Sequence, residues 1–303
     1  MRKRPIFKKF AATGALALAF LCLPQVTVDA TEIGTRSIQQ SESPEARISL
    51  PQGASLTDLD VNGRRVLSGR VFTVSGTTYV PMIKFADWLG VFTRTTYTQG
   101  GKTICKITGD NLKIEAVEGN VYISANDRYF YTVGRVLDIG GELYVPIQPL
   151  VKALNCYVSY TDGLYTVRSG DTSRLKSANK IYRDDEVYWL ARIISAEARG
   201  EDFRGKMAVG NVILNRVRSE LFPNTIYGVI FDRKYGVQFS PVLNGSIYAE
   251  PTAESIIAAR VCLEGYSISN ESLYFVNPRL APNSWISNNR EYAFTIGNHA
   301  FYK

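Results

Sequence analysis

Apolar residues recur three and four positions apart from residue 187 onwards, and this spacing predicts an amphipathic helix that ends at Gly200. Val187, Leu190 and Ile194 form one apolar stripe along its face. The next position of that stripe is Glu197, which stands between two alanines. A carboxylate therefore occupies a place at which the pattern requires a core residue.

The pattern downstream of this helix is mainly helical. A second series has the spacing of a core-facing helix: Phe203, Met207, Gly210, Leu214, Val217 and Leu221. Glu201 and Asp202 precede this series and are predicted to cap the helix, although Glu201 is also a candidate second carboxylate. Shorter helices are predicted at 225–231 and 251–263, and a strand is predicted at 273–276.

An internal duplication dominates the first half of the chain. Residues 69–81 are repeated at 134–146, with an offset of 65 at every matched position. Valine-rich alternation predicts strands, glycine predicts a turn, and a Tyr-Val-Pro end suits the first turn of a helix. Each copy is thus predicted to be strand, turn, strand, helix. Further strands are predicted at 102–107, 112–117 and 121–123, so we expect an α+β domain over 49–170.

The first residues have the pattern of an export signal. Five basic residues in the first nine positions precede an apolar run at 11–23. This order predicts a secretory signal peptide over 1–30, with an uncleaved membrane anchor as the alternative. Polar segments at 31–48 and 171–182 are predicted to be linkers, and a second domain is expected over 183–303.

The net charge of +7 arises largely from the predicted signal peptide. Without it the chain has 30 basic and 27 acidic residues, a field too weak to indicate a nucleic-acid partner. Residues 181–303 contain 13 basic and 13 acidic residues, which suits an uncharged sugar chain better than a polyanion. We therefore expect no nucleic acid as partner, and membrane contact only through the signal segment.

Composition also excludes several chemistries. His299 is the single histidine, which excludes a metal centre built on several histidines, and no phosphate-binding P-loop motif occurs. The carboxylates are scattered, so we expect neither a metal nor another cofactor. Cys105 and Cys156 lie in one predicted domain and remain open to pairing in an oxidising compartment, whereas Cys262 is expected to be a buried apolar residue.

Glu197 is the candidate catalytic residue. Burial disfavours the charged form of a carboxyl group and raises its pKa, and a glutamic acid protonated near neutral pH can act as a general acid. The alternative is a purely structural ion pair with Arg192, Arg199 or Arg216. The spacing alone favours neither interpretation.

The candidate substrate-binding residues are aromatic, amide and hydroxyl side chains, a mixture that suits sugars because rings pack on sugar faces while amides and hydroxyls form hydrogen bonds. They are Gln238, Phe239, Ser240, Tyr274 and Trp285. For Phe239 an ordinary position in the core is the alternative interpretation.

Four motifs follow one another along 183–303: Ala196-Glu197-Ala198-Arg199-Gly200-Glu201, Asn215-Arg216-Val217, Gln238-Phe239-Ser240 and Gly297-Asn298-His299. In this order they resemble the spore cortex-lytic, SleB/CwlJ-type cell wall hydrolase family. The resemblance implies a peptidoglycan-cleaving domain with a lysozyme- or transglycosylase-like fold. It also places the catalytic glutamate of the family on Glu197.

The duplicated segment has a resemblance of its own. Its Tyr-Val-Pro motifs, each followed by a helix, resemble the copper amine oxidase N-terminal-like domain over 49–170. This implies a non-catalytic module that binds the envelope or acts as a spacer. The expected architecture is therefore α+β, with a small duplicated strand-strand-helix domain followed by a mainly helical catalytic domain.

The predicted signal peptide implies export to the cell wall or spore cortex. The family resemblance implies an enzyme that cuts the bond between N-acetylmuramic acid and N-acetylglucosamine. Hydrolases normally use two carboxylates, roughly 5–5.5 Å or 6.5–9.5 Å apart. Because one acid is well placed, we expect a lytic transglycosylase with Glu197 as sole acid and base. Its substrate is either the spore cortex, during germination, or the vegetative wall. A hydrolytic muramidase or glucosaminidase, a non-catalytic wall-binding protein and a cysteine peptidase using Cys262 and His299 remain alternatives.

Overall fold

A computed structural model describes residues 48–90, 93–170 and 175–303 of the chain. The predicted signal peptide at 1–30 and all but the last residue of the predicted linker at 31–48 lie outside the described residues. Among the residues that are described, no helix has the length and apolar character needed to cross a membrane.

The first half of the described chain is built from fourteen strands and two helices. The strands before the first helix are β1 Ser55–Leu56, β2 Asp58–Val61, β3 Arg64–Val66, β4 Phe72–Val74 and β5 Thr77–Pro81. Helix α1 Met82–Leu89 is followed by β6 Thr93–Gln99, β7 Lys102–Gly109, β8 Leu112–Val117, β9 Tyr122–Ala125, β10 Arg128–Tyr131, β11 Leu137–Ile139 and β12 Glu142–Pro146. Helix α2 Ile147–Ala153, β13 Tyr157–Thr161 and β14 Leu164–Arg168 complete this half.

The two repeats have the same local structure and pair with each other. Each copy forms two strands and a helix, β4-β5-α1 in the first and β11-β12-α2 in the second. Strands β5 and β12 are antiparallel, with Val80 opposite Val145 and Tyr79 opposite Pro146. Val80 and Val145 are equivalent positions of the duplication, so the copies are related by a local two-fold axis between these valines. Pro81 and Pro146 end the strands and precede the first turns of α1 and α2.

Three sheets surround the core of this half. Their strand orders are β1-β4-β5-β12-β11, β10-β9-β8-β7-β6 and β13-β14-β2-β3. Strand β14 pairs in parallel with β2, which joins the end of this half to its beginning. The apolar faces of the sheets enclose one cluster of buried side chains that includes Leu59, Phe85, Ile107, Ile114 and Leu150. The predicted α+β character is therefore confirmed here.

The second half is mixed, not mainly helical. Its helices are α3 Asp184–Ala198, α4 Phe203–Arg218, α5 Ile226–Ile230, α6 Ser240–Asn244, α7 Ala253–Leu263 and α8 Trp285–Asn289. Its strands are β15 Tyr274–Val276, β16 Tyr292–Ile296 and β17 His299–Tyr302, which form a sheet in the order β15-β17-β16. The sequence prediction included only the first of these strands. The remaining two form a hairpin whose residues pair with each other and with β15.

Helices α3, α4 and α7 pack closely around Gly210. A methyl group at that position would lie 2.8 Å from Cδ1 of Ile194 and 3.0 Å from Sγ of Cys262. A side chain at this position would displace Ile194 or Cys262, so glycine allows the three helices to pack with these residues where they are. Ile194 lies one turn before Glu197 on α3.

The described part of the predicted second linker is not a free tether. Leu175, Ala178 and Tyr182 are buried, and the backbone N–H of Ala178 donates to the carbonyl of Asn126 at 3.2 Å. The side-chain amide of Asn126 in turn donates to the carbonyl of Leu175 at 3.1 Å. Leu175 belongs to the buried cluster of the first half, so the described part of this segment packs against the protein, while its assignment as a linker stays a prediction.

The two halves share a buried interface within one compact unit. The guanidinium of Arg128 forms two hydrogen bonds of 2.7 Å with the carboxylate of Glu264, and the side chains are 13% and 3% exposed. Tyr131 stacks against Phe203 at the start of α4, with ring centroids 6.1 Å apart, and contacts the tilted ring of Tyr266 at 4.5 Å. The domain boundaries near 170 and 183 stay predictions, but the halves are in contact.

The three cysteines within the described residues are free thiols. Cys105 is buried in β7, and Cys156 follows α2 with partial exposure. No disulfide therefore joins Cys105 to Cys156 in this structure.

Candidate active site

A cleft of about 1290 Å³ opens beside the end of α3. Its walls come from α3, α4, the 232–240 segment, β15 and α8. All six residues that the sequence analysis selected line this cleft: Glu197, Gln238, Phe239, Ser240, Tyr274 and Trp285. The fold thus brings them together although they are spread over almost 90 residues of the chain.

Glu197 lies on the last turn of α3, partly buried at the edge of the cleft. Burial raises the pKa of Glu197 from 4.5 to about 7, and no charged neighbour contributes to this shift. None of the hydrogen bonds or ion pairs among the described residues involves its carboxyl group. Near neutral pH both the protonated and the ionised form of this side chain are therefore populated, as a residue that acts as general acid and then as general base requires.

The arginines considered as partners of Glu197 have other contacts. Arg192 donates to the carbonyls of Tyr248 and Ala249, each at 2.6 Å, and to the carboxylate of Glu250 at 2.8 Å. Arg199 donates to the carbonyl of Glu250 at 3.1 Å. The interpretation of Glu197 as half of a structural ion pair is therefore wrong.

Arg216 also lines the cleft, although the sequence analysis did not include it among the binding residues. Its Nε donates to the carbonyl of Leu273 at 2.7 Å. Its guanidinium lies over the rings of Phe222, Phe239 and Tyr274, at 4.7, 5.2 and 5.3 Å from the centroids. Burial lowers the pKa of Arg216 to about 10, so the side chain stays charged at neutral pH.

Glu201 is a second carboxylate of the cleft. It was predicted to cap α4, and that prediction was wrong. Asp202 is the cap, because its carboxylate accepts from the backbone N–H of Gly205 at 2.7 Å. The side chain of Glu201 is only 8% exposed and accepts two hydrogen bonds from Asn298, in the turn between β16 and β17. Its partner lies 97 residues away in sequence, which explains why helical spacing could not determine its direction.

His299 lies beside Glu201 at the base of the cleft. Its Nδ1 is 3.8 Å from a carboxylate oxygen of Glu201 and has no hydrogen-bond partner, while its ring meets Phe275 edge-on. Burial lowers the pKa of His299, and the Glu201 carboxylate partly opposes this effect. The imidazole is therefore mainly neutral at pH 7.

The predicted sugar-binding segment turns sharply into α6. The amide of Gln238 donates to the carbonyl of Gly236 at 3.1 Å, and Ser240 begins the helix. Phe239 is 3% exposed and packs near Phe275, with centroids 6.4 Å apart. Its burial agrees with the alternative interpretation as a core residue, although it also forms part of the cleft wall.

Exposed aromatic surface borders the other side of the cleft. Arg290 lies between Tyr274 and Trp285, at 4.5 and 5.0 Å from the ring centroids. Trp285 and Tyr235 are both largely exposed at the rim. Such rings provide flat apolar surfaces next to polar groups, which is the usual character of a carbohydrate site.

The structure gives no support to the cysteine-based alternative. Cys262 is buried in the core of the second half, and burial raises its pKa to about 12. Its thiol contacts the carbonyl of Met207 at 3.5 Å, whereas His299 lies beside Glu201. A nucleophilic cysteine needs an accessible thiolate, which this environment disfavours. Among the described residues, no group of three His, Cys, Asp or Glu side chains is arranged to hold a metal ion.

Comparison with known proteins identifies relatives of the second half. A family model described as cell wall hydrolase matches residues 200–302, a segment that begins three residues after Glu197. The spore cortex-lytic enzyme of Oceanobacillus iheyensis is 37% identical over 135 residues, which cover 44% of this chain and 48% of that enzyme. This chain thus spans about half the length of that relative.

Two further matches cover most of the matched protein. The cell wall hydrolase CwlJ of Oceanobacillus iheyensis is 31% identical over 111 residues, 34% of this chain and 77% of that protein. The solved catalytic domain of the germination-specific lytic transglycosylase SleB from Bacillus anthracis is 36% identical. That match covers 40% of this chain and 97% of the domain, with a TM-score of 0.37.

Proposed function

This chain belongs to the cell wall hydrolase family that includes CwlJ, and on this premise we propose that it is an exported enzyme that cleaves the glycan strands of peptidoglycan. The cleft beside Glu197 and its aromatic rim support a sugar polymer as substrate. The equal numbers of basic and acidic residues in 181–303 give this segment no net charge, which does not favour a polyanion such as nucleic acid as the substrate.

The reaction that we propose is lytic transglycosylation at the bond between N-acetylmuramic acid and N-acetylglucosamine. Protonated Glu197 donates its proton to the glycosidic oxygen as the bond from that oxygen to C1 of the muramic residue breaks. The bonding pair stays on the leaving oxygen. Glu197, now a carboxylate, accepts the proton of the muramic 6-hydroxyl, whose oxygen bonds to C1 and closes a 1,6-anhydro ring.

The observation on which this mechanism depends is the raised pKa of Glu197 in the absence of a charged partner. A side chain whose pKa is about 7 can donate and later accept a proton at neutral pH without help. Related proteins include one described as a lytic transglycosylase, which supports the same reaction class.

A hydrolytic muramidase or glucosaminidase is the second candidate, because Glu201 supplies another carboxylate in the cleft. A hydrolase would need that carboxylate free to activate water or to attack the sugar. Both oxygens of Glu201 already accept hydrogen bonds from Asn298. We therefore favour the single-acid mechanism and assign Glu201 a positioning role.

The cleft residues then have distinct roles in substrate binding. Gln238 and Ser240 would form hydrogen bonds with hydroxyl or acetamido groups, and Phe239 would form the apolar wall behind them. Tyr274 and Trp285 would pack on sugar faces at the opposite side.

The first half is proposed to be a copper amine oxidase N-terminal-like module without catalytic function, serving as a spacer or envelope-binding domain. Export through the predicted signal peptide would place the protein in the cell wall or spore cortex. The names of the relatives support a role in cortex lysis during germination.

The decisive experiment digests purified vegetative and spore peptidoglycan with the wild type and with Glu197→Gln. We expect 1,6-anhydromuramic acid ends by mass spectrometry, and at least about a 100-fold loss of rate in the variant. Glu291→Gln, which alters an exposed glutamate outside the cleft, is the matched control. Reducing ends without anhydro products would support hydrolysis, and wall binding without cleavage by the wild type would support the non-catalytic alternative.

A further inference from the structure

Arg216 is a buried cation that no carboxylate neutralises. It is 4% exposed, lines the same cleft as Glu197, and donates one hydrogen bond, from Nε to the carbonyl of Leu273. Its Nη1 is buried and has no hydrogen-bond partner. Asp232 and Tyr274 act on it electrostatically, but neither forms a hydrogen bond or ion pair with it within the described part of the chain.

The other buried cations of the described chain each have an acidic partner. Arg192 is paired with Glu250 at 2.8 Å, and Lys206 is paired with Glu254 at 2.8 Å. Arg216 differs from both, although it is at least as inaccessible as Arg192. The fold therefore provides ion-pair partners for its structural cations and leaves this one with only the longer-range effect of Asp232.

Such an arrangement is unfavourable for the unbound protein. Removing a guanidinium from water costs free energy that an ion pair normally recovers, and burial accordingly lowers the pKa of Arg216 to about 10. Three aromatic rings and one carbonyl recover part of this cost. An anionic ligand that entered the cleft would recover the rest.

Arg216 lines the cleft without changing the pKa of the proposed acid, Glu197. Burial is the cause of the raised pKa of Glu197, with no contribution from Arg216. A guanidinium close to Glu197 would favour its carboxylate and lower its pKa. Arg216 therefore does not oppose protonation of Glu197.

We propose that Arg216 binds a carboxylate carried by the muramic residues of the substrate. This inference rests on the proposed function, because it assumes a peptidoglycan strand in the cleft. The carboxylate has two chemical sources, the lactyl group of a muramic residue without peptide and the free end of a stem peptide. Arginine suits either one, since its planar fork of N–H donors matches the two oxygens of a carboxylate.

The test compares strands with and without these carboxylates. One pair of substrates is glycan freed of peptides, either untreated or with its lactyl carboxylates converted to neutral methylamides. The other pair is glycan bearing single L-alanine stems, again untreated or amidated. We expect amidation to raise the KM of the wild type at least about 10-fold in one pair, which also identifies the source.

Substitutions test whether Arg216 causes this difference in KM between acidic and amidated strands. Arg216→Met should bind the acidic strand at least about 10-fold more weakly while treating acidic and amidated strands alike, and Arg216→Lys should restore part of the difference. Arg290→Met removes an exposed guanidinium from the same cleft and should keep the discrimination. Circular dichroism and thermal unfolding report whether each variant folds.

The KM values of the wild type alone can contradict the proposal, so the proposal remains testable even if a variant fails to fold. Equal KM values for untreated and amidated strands in both pairs would contradict carboxylate binding. Discrimination that persists in folded Arg216→Met would contradict the role of Arg216. Failure of the wild type to cleave any of the four strands would instead contradict the proposed function.

Discussion

The carboxylate of Glu201 accepts hydrogen bonds from both nitrogens of Asn298, at 3.1 Å from the backbone and 2.9 Å from the side-chain amide. These bonds join the corner between α3 and α4 to the turn between β16 and β17. The turn begins at Gly297, with φ +54°, where a methyl group would lie 1.7 Å from a carboxylate oxygen of Glu201. The C-terminal hairpin is thus fastened directly beside the end of α3, and it helps to hold the base of the cleft.

Gly297→Ala should destabilise the protein strongly, because the added methyl group displaces the Glu201 carboxylate and breaks both hydrogen bonds. Gly100→Ala is the matched control, since Gly100 has a similar φ of +59° but open space around it. Backbone strain alone costs about 1 kcal/mol, and we expect Gly297→Ala to cost at least about 2 kcal/mol more. Urea unfolding measures both values, and equal losses would show that the contact with Glu201 contributes nothing.

The stability of the wild type should fall as pH rises, owing to Glu197. Burial raises its folded pKa to about 7 from an ordinary value of 4.5, so the folded state binds the proton more tightly than the unfolded state. The contribution of protonated Glu197 to the free energy of unfolding is complete below pH 4.5 and is lost between about pH 4.5 and 7. The expected loss is about 3 kcal/mol.

Glu197→Gln removes this titration and provides the comparison. As the pH rises from 5 to 8, the free energy of unfolding of the wild type should fall relative to that of the variant. The variant should also lose its activity. Taking the difference between the two curves cancels the contribution of His299, whose pKa burial lowers. Parallel curves across this interval would contradict a raised pKa.

The buried pair of Arg128 and Glu264 should couple the two halves of the protein. Glu264→Gln leaves the Arg128 guanidinium without a counter-ion in the interface, and we expect a loss of about 3 kcal/mol in the free energy of unfolding. Asp58→Asn is the control, because Asp58 and Arg65 form an ion pair with both side chains more than half exposed. That change should cost less than about 1 kcal/mol, and similar losses in both variants would show that the pair of Arg128 and Glu264 does not stabilise the interface.

Local periodicity was enough to select Glu197 and much of the secondary structure. Glu197 continues a helical stripe, and α3 and α4 formed where the apolar spacing predicted them. The repeats also have the elements that their strand and turn residues predicted. The pairing of Val80 with Val145 was not predictable from the duplication alone, since nothing local determines which strands of two copies meet.

The missed features depend on contacts between distant residues. Arg216 reaches Leu273, 57 positions away, and Glu201 reaches Asn298 across 97 positions. One local signal for the sheet is present in the sequence. Gly297 and Asn298 separate two apolar, aromatic runs, and a Gly-Asn pair in that setting predicts a hairpin. Recognising it would have shown that the second half contains a sheet.

The most direct test of the central claim is a titration of the Glu197 carboxyl group by ¹³C NMR in the intact protein, with Glu197→Gln used to assign its resonance. The proposed mechanism predicts a midpoint of about 7, which leaves the side chain largely protonated at pH 6 and able to give up that proton to a glycosidic oxygen. A midpoint near 4.5 would show an ordinary solvated carboxylate, and Glu197 would then be unable to act as the acid of this enzyme.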